Sequence, residues 1–326
     1  MGLPPVDPAS AGAPILLRGR DLLSIADLSP LEIEHVLDRA AALKAEFRTL
    51  RRHPDTSLAG RTLAMLFEKP SLRTRVTFEA SMSQLGGHAI HLGPGDVGLG
   101  KRESVADVAR NLDRWVDAIT IRTFAHTIVE ELAAEAAVPV VNALTDLEHP
   151  CQSLADLLTL RERRGSLAGQ AVAFVGDGNN VFHSLALAGA VMGMDIRLAH
   201  PPGYGPDPIV VERAQALAAA SGGRLTLGHD PRAAVTGVAA VYTDTWTSMG
   251  QEGQAAVRRA AFQGFTVDEE LMAIAGPEAM VMHCLPAHRG EEITADVLDG
   301  PRSLVLDQAE NRLHVQKAWL VEAIGV

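Results

Sequence analysis

Only two cysteines occur among the 326 residues, Cys151 and Cys284. Two cannot build a disulfide framework, so a reducing cytosol is the expected compartment. Each lies near a histidine, in His149-Pro150-Cys151 and His283-Cys284, but neither spacing matches paired zinc ligands. No continuous apolar run approaches the ~18 residues of a membrane span, so no membrane contact is expected. Positive charge is also short: 29 basic against 40 acidic side chains leave a formal net charge of −11. That argues against nucleic acid or an anionic membrane as main partner. It leaves room for an anionic small molecule, because a few converging arginines override the global sign locally. Residues 1–14, rich in Pro, Ala and Gly, lack the basic and apolar regions of a secretory signal and are expected to be a loose leader. Internal repeats and low-complexity core segments are absent.

What is present is a large apolar fraction, 47% of the chain, and a length that suits two domains of ordinary size. Short β-rich apolar runs alternate with helical stretches. Strands are expected at Arg61–Phe67, Ala89–Leu92, Ala118–Arg122 and Val138–Asn142. A second series follows at Ala171–Gly176, Asp195–Ala199, Arg224–Leu227, Ala239–Thr243, Met280–Cys284 and Ser303–Asp307. Between them Phe78, Met82 and Leu85 recur at the spacing of one helical face, as do Val105, Val108, Leu112 and Trp115. This alternation predicts an α/β protein with two doubly wound parallel-sheet domains, helices on both faces of each sheet. A helix over about 152–164 followed by Gly165 and Gly169 marks the join, giving domains 1–150 and 151–326. A last helix over about 312–326 returns to the first domain.

In open α/β sheets ligands sit beyond the carboxyl ends of the strands, so motifs at strand-to-helix junctions are the functional candidates. Ser71-Leu72-Arg73-Thr74-Arg75 follows the first strand and opens a helix. Two hydroxyls, two guanidinium groups and the N–H groups of a helix start make a dense donor set for a phosphate. In His149-Pro150-Cys151-Gln152, Pro150 suits the first helical turn, and His149 and Gln152 can project as neutral donors. Taken alone, the same motif also reads as a helix cap with a small buried cysteine. Gly176-Asp177-Gly178-Asn179-Asn180-Val181 is like a dinucleotide fingerprint, but Val181 stands where its third glycine belongs, which weakens a dehydrogenase reading. Asn179 and Asn180 read instead as a helix cap and a polar substrate contact. Asp244, at a strand end, can hold an ammonium group, and Ser248-Met249-Gly250 reads as a mobile loop. Cys284 would emerge at a sheet edge while His283 points to the opposite face, leaving the thiol no base partner. Arg312, in Glu310-Asn311-Arg312 before the last helix, reads as one more anion contact or a solvated charge.

In this order the segments Phe67 to Arg75, His149 to Gln152, Asp244 to Gly250 and His283 to Pro286 resemble the ornithine carbamoyltransferase family, over nearly the whole chain after the leader. The resemblance implies transfer of the carbamoyl group of carbamoyl phosphate to the side-chain amine of L-ornithine, giving L-citrulline and phosphate. It implies an N-terminal carbamoyl-phosphate domain, a C-terminal ornithine domain, no metal or organic cofactor, and a homotrimer or a multiple of it. By motif, Ser71, Arg73 and Thr74 would ligate the phosphate, with Leu72 contributing backbone, and Arg122 would contact phosphate and carbonyl. His149 and Gln152 would contact the carbamoyl group. Asn180, Asp244, Ser248 and Met249 would form the ornithine site, and Cys284, the Leu285 backbone and Arg312 would complete the reaction centre. Cys284 is expected to touch substrate, not to attack it. Gly98, in the loop from Gly95 to Ser104, stands where relatives often place a Gln or His lent to the neighbouring subunit. Lys101 and Arg102 lie close enough in sequence to take over that contact.

Overall fold

The computed structural model describes residues 17–326; the expected leader, 1–14, lies outside them. Two wholly parallel sheets organise the chain. The first has strands β1 (Thr62–Phe67), β2 (His88–Leu92), β3 (Ala118–Arg122) and β4 (Val140–Leu144), in the order β2-β1-β3-β4. The second has β5 (Ala171–Val175), β6 (Asp195–Ala199), β7 (Arg224–Gly228), β8 (Ala240–Thr243) and β9 (Met280–His283), in the order β7-β6-β5-β8-β9. The helices used below are α1 (Pro30–Leu50), α2 (Arg73–Gln84), α3 (Val105–Leu112), α4 (His126–Glu135), α5 (Pro150–Arg164), α6 (Asn180–Val191), α7 (Ala255–Ala261) and α8 (Val305–Ile324).

Side chains along β1 alternate between two cores, as the two-residue period of a strand requires. Leu63, Met65 and Phe67 pack with α1, α2 and α8, whereas Ala64 and Leu66 pack with α3 and α4. The first of these cores continues through α5 and α6 to Val172 and Phe174 on β5, so one apolar mass joins both sheets. The last helix crosses back onto α1, α2 and α5, the return that the α/β reading anticipates. Ser29 and Glu32 cap α1 reciprocally and Pro30 occupies its first turn, which explains a sharp helix start just there.

Three expectations change. No strand forms at Ser303–Asp307: Ser303 makes a single bridge to Val281 and the last helix begins at Val305. A short apolar run fits strand or buried helix equally well, and here the helix wins. Arg312 consequently lies inside that helix, two turns from its start, rather than ahead of it. Trp115 leaves the α3 face, because α3 stops at Leu112 and the indole is 70% exposed, while Val105, Val108 and Leu112 are buried as the spacing indicates.

Candidate active site

Each sheet reverses its strand order once, between β1 and β3 and between β5 and β8, and the carboxyl ends at both reversals open onto a single cavity of about 1490 Å³. Every site residue named from the sequence lines it: Ser71, Leu72, Arg73, Thr74, Arg122, His149, Gln152, Asn180, Asp244, Ser248, Met249, Cys284, Leu285 and Arg312. Lys101 and Arg102 do not; both are exposed on this chain's surface.

One end of the cavity is cationic. Arg73 opens α2, Arg122 ends β3, and Arg312 reaches in from α8. The Arg312 Nη2 donates to the Thr74 hydroxyl at 2.6 Å, and the Ser71 hydroxyl accepts from the Thr74 N–H at 3.2 Å. Leu72, at the start of α2, turns its side chain outward at 74% exposure, which leaves only its backbone beside the arginines. Burial, then Arg312 and Arg73, pushes the Arg122 guanidinium down to about 9. Burial and the same three arginines hold His149 well below its usual range, so its ring is neutral. The Arg122 Nε, Arg312 Nε, His149 Nδ1 and Gln152 Oε1 are buried without a partner among the described residues. Bare buried donors are costly, and three converging guanidiniums repel each other unless an anion sits between them. His149 is held in place by its own N–H, which donates to Ser184 on α6 at 2.7 Å.

The other end is acidic. Asp244, just past β8, accepts from Asn179 Nδ2 and from the Thr245 N–H, both at 2.8 Å, and from the Cys284 thiol at 3.0 Å. Asn180 Nδ2 donates to the Thr145 carbonyl at 2.6 Å, tying α6 to the end of the first sheet. Ser248 and Met249 lie on a loop closed by a Gln251 N–H to Ser248 carbonyl bond of 3.0 Å. Burial and the neighbouring Asp244 push the Cys284 thiol well above its usual range, so it is not a thiolate at neutral pH. His283 does not turn clear of the site as strand alternation predicts: a ring nitrogen lies within 4.8 Å of the Cys284 sulfur and an Asp244 carboxylate oxygen. The His283 Nδ1 accepts from the Leu285 N–H at 2.9 Å, so its Nε2–H donates to Glu292 at 3.1 Å. Asp244, His283 and Cys284 are near enough to suggest a metal trio, but both ring nitrogens of His283 are thus already bonded.

In the dinucleotide-like motif Gly176 supplies a positive φ of 147° and Gly178 a close approach of two loops. A Cβ on Gly178 would lie 2.3 Å from the Pro206 nitrogen, so only glycine lets the two loops touch. Asn179 caps α6 by accepting from the N–H groups of Val181 and Phe182. Sequence reasoning gave no role to Lys69, although it sits in the same motif as Ser71. Lys69 is buried, ion-paired with Asp146, and its Nζ lies 4.3 Å from the Phe124 ring centre. It also overlooked the buried pair of Asp177 with Arg258, whose Nε holds the Trp246 carbonyl beneath the Ser248 loop. Arg258 occupies one turn of α7 with no flanking signal that would single it out.

An anion cradle on one sheet facing a carboxylate on the other defines a two-domain α/β group-transfer enzyme. Residues 20–162 match the family model described as "Aspartate/ornithine carbamoyltransferase, carbamoyl-P binding domain" and residues 168–322 the one described as "Aspartate/ornithine carbamoyltransferase, Asp/Orn binding domain". The chain belongs to the aspartate/ornithine carbamoyltransferase family. It is 55% identical to the ornithine carbamoyltransferase of Symbiobacterium thermophilum, covering 93% of this chain and 97% of that one. With the Pyrococcus abyssi ornithine carbamoyltransferase it shares 51% identity over 95% and 98% of the two chains. The solved structure of the Pyrococcus furiosus ornithine carbamoyltransferase superposes with a TM-score of 0.92 at 50% identity, over 95% of this chain and 98% of that one.

Proposed function

We infer that the protein moves the carbamoyl group of carbamoyl phosphate onto the side-chain amine of L-ornithine, releasing L-citrulline and phosphate. The observation that carries this is the charge layout of one cavity: Arg73, Arg122 and Arg312 at one end, Asp244 at the other. An acceptor with a second carboxylate, such as aspartate, would need a free cation at the acidic end. The remaining lysine and arginines lining the cavity, Lys69, Arg258 and Arg259, are ion-paired with Asp146, Asp177 and Glu291 respectively.

In this reading Ser71, Thr74, the Leu72 backbone and the three arginines bind the phosphate, and Gln152 Oε1 accepts from the carbamoyl amino group. Asn180, Asp244, Ser248 and Met249 hold the ornithine backbone, Asp244 taking the α-ammonium. The attacking amine has an intrinsic pKa of about 10, so presenting it neutral at pH 7 costs about 4 kcal/mol. Desolvation in the closed cavity lowers that cost. As the amine adds to the carbamoyl carbon, negative charge grows on the carbonyl oxygen and then on the leaving phosphate. Arg73, Arg122 and a neutral imidazole N–H of His149 stabilise that charge from fixed positions. Cys284 and the Leu285 backbone border the reacting carbon; an acid-stable carbamoyl-thioester on Cys284 would contradict their non-covalent role. No metal or organic cofactor enters this route, and a cytoplasmic setting supplies both substrates. Purified protein should release citrulline and phosphate one for one; phosphate without ureido product would mark a hydrolase or a mere phosphate binder.

The sites are proposed to act in a homotrimer or a multiple of it. Leu72 and Val76, one turn apart at the start of α2, and Ile90 on the edge strand β2 offer exposed apolar surface for such contacts. Lys101 and Arg102 are proposed to reach a neighbour's phosphate in place of the side chain that Gly98 lacks. Mixing two inactive proteins tests this: one with Arg73→Ala, the other with Lys101→Ala and Arg102→Ala. Mixed trimers should regain activity, because some sites receive intact parts from both. A fully active loop double variant would refute the cationic replacement, and a monomer in light scattering would remove the shared site.

A further inference from the structure

We propose that Asp156 is a positioning residue, which fixes the Gln152 carboxamide with its oxygen toward the carbamoyl nitrogen and so sets the preference for carbamoyl phosphate over acetyl phosphate. The proposal rests on the reading of Gln152 as a carbamoyl contact.

Asp156 lies one turn beyond Gln152 on α5, with 1% of its surface exposed. Its Oδ1 gathers three donors from three elements: Gln152 Nε2 at 2.8 Å, Gln308 Nε2 at 2.6 Å from α8, and the Tyr242 hydroxyl at 3.4 Å from β8. The two amides can then face only one way. Gln308 is fixed independently, because its Oε1 accepts from the His283 N–H at 2.9 Å, and a backbone N–H can meet only the oxygen end. Its Nε2 is thereby committed to Asp156 and to the Tyr242 hydroxyl 3.0 Å away. Gln152 has no such second anchor. Asp156 alone holds its Nε2, which leaves Oε1 as the buried, unpartnered end of a side chain that lines the cavity.

That orientation is chemically selective. An amide oxygen accepts from the –NH2 of carbamoyl phosphate and finds nothing to accept from the –CH3 of acetyl phosphate, which has almost the same shape. A flipped Gln152 would set its own NH2 against the carbamoyl NH2, donor against donor. Burial pushes the Asp156 carboxyl up to about 7, so it changes charge near neutral pH. Its Oδ2 is the oxygen without a partner and is the one free to carry the proton. Oδ1 therefore stays an acceptor in both states. Through Gln308 the same carboxyl braces the His283 backbone, next to Cys284, so one buried group aligns the carbamoyl contact and the strand end across from it.

The test compares the KM for carbamoyl phosphate with the competitive inhibition constants of acetyl phosphate and inorganic phosphate. Asp156→Ala should raise the carbamoyl phosphate KM about tenfold, the worth of one neutral hydrogen bond. Acetyl phosphate and phosphate should stay within about twofold, since neither uses that bond. Asp156→Asn retains an acceptor oxygen and should restore most of the loss. Gln152→Ala should lose the same preference, and adding Asp156→Ala to it should change that preference no further. Should Asp156→Ala not fold, Asp156→Ser takes its place, with a hydroxyl too short to reach the Gln152 amide. Parallel weakening of all three ligands, or an unchanged carbamoyl preference in the folded variant, would overturn the proposal. An unchanged preference in Gln152→Ala would instead sink the reading of Gln152 on which it rests.

Discussion

Replacing Arg73 with alanine should lower kcat/KM for carbamoyl phosphate by on the order of 10²–10⁴ while leaving the fold intact. Arg73 is half-buried at the first position of α2 and forms no ion pair among the described residues. A charge-assisted hydrogen bond to a phosphate contributes about 1.5–3 kcal/mol to binding. Its contribution grows as charge moves onto the leaving group, so turnover should fall along with affinity. The neighbouring Arg75→Ala supplies the contrast. Arg75 is exposed and pairs with Glu79 at 3.0 Å along the helix surface. Exposed pairs of that kind contribute about 0–1 kcal/mol, so activity should change by less than about fivefold. Equal losses in the two variants would mean that the helix start, not the guanidinium, was being measured.

Asp244→Asn should be nearly as damaging, but on the other substrate. The carboxylate is held from two sides by Asn179 and the Thr245 N–H, at 2.8 Å each, so it is rigid before ornithine arrives. The amide is nearly isosteric and keeps an oxygen for Asn179, yet it loses the charge that faces the α-ammonium. Kcat/KM for ornithine should fall by roughly 10²-fold, in line with about 3 kcal/mol for a partly buried charged contact. The affinity for carbamoyl phosphate, measured by direct binding without ornithine, should hold. The preference for ornithine over N-acetylornithine, which has no free α-ammonium, should narrow in the same variant. An unchanged preference would move the ammonium site away from Asp244.

The sequence made the architecture and most of the cavity legible for one physical reason. In parallel sheets the strand ends carry the ligand contacts, and strand ends are marked by a change of hydrophobic period. Arg73, His149, Asn180, Asp244 and Cys284 all sit at such changes. What stayed hidden lies where no period changes. Arg312 is legible as a site residue, but its seat in the middle of α8 is not, because the apolar residues Leu304 and Val305 before it fit a strand as well as a helix. Asp156 and Gln308 are polar side chains inside regular helices, with no change of period to single them out, yet both are buried. Arg258 is likewise silent until Asp177, Trp246 and the Tyr204 ring, 4.8 Å from its guanidinium carbon, surround it in three dimensions. Trp115 errs the other way: its spacing continued the α3 face one turn past the point where the helix ends.

If one cavity joins a carbamoyl-phosphate cradle to an ornithine site, the protein must select ornithine among related amines. A competition assay tests it most directly: purified protein, carbamoyl phosphate, and equal concentrations of ornithine, N-acetylornithine, putrescine and aspartate, with the carbamoylated products separated and quantified. Citrulline should exceed every other product by at least about 100-fold, the discrimination that some 3 kcal/mol of lost polar contact at Asp244 provides. A predominance of carbamoylated N-acetylornithine, putrescine or aspartate would contradict the account.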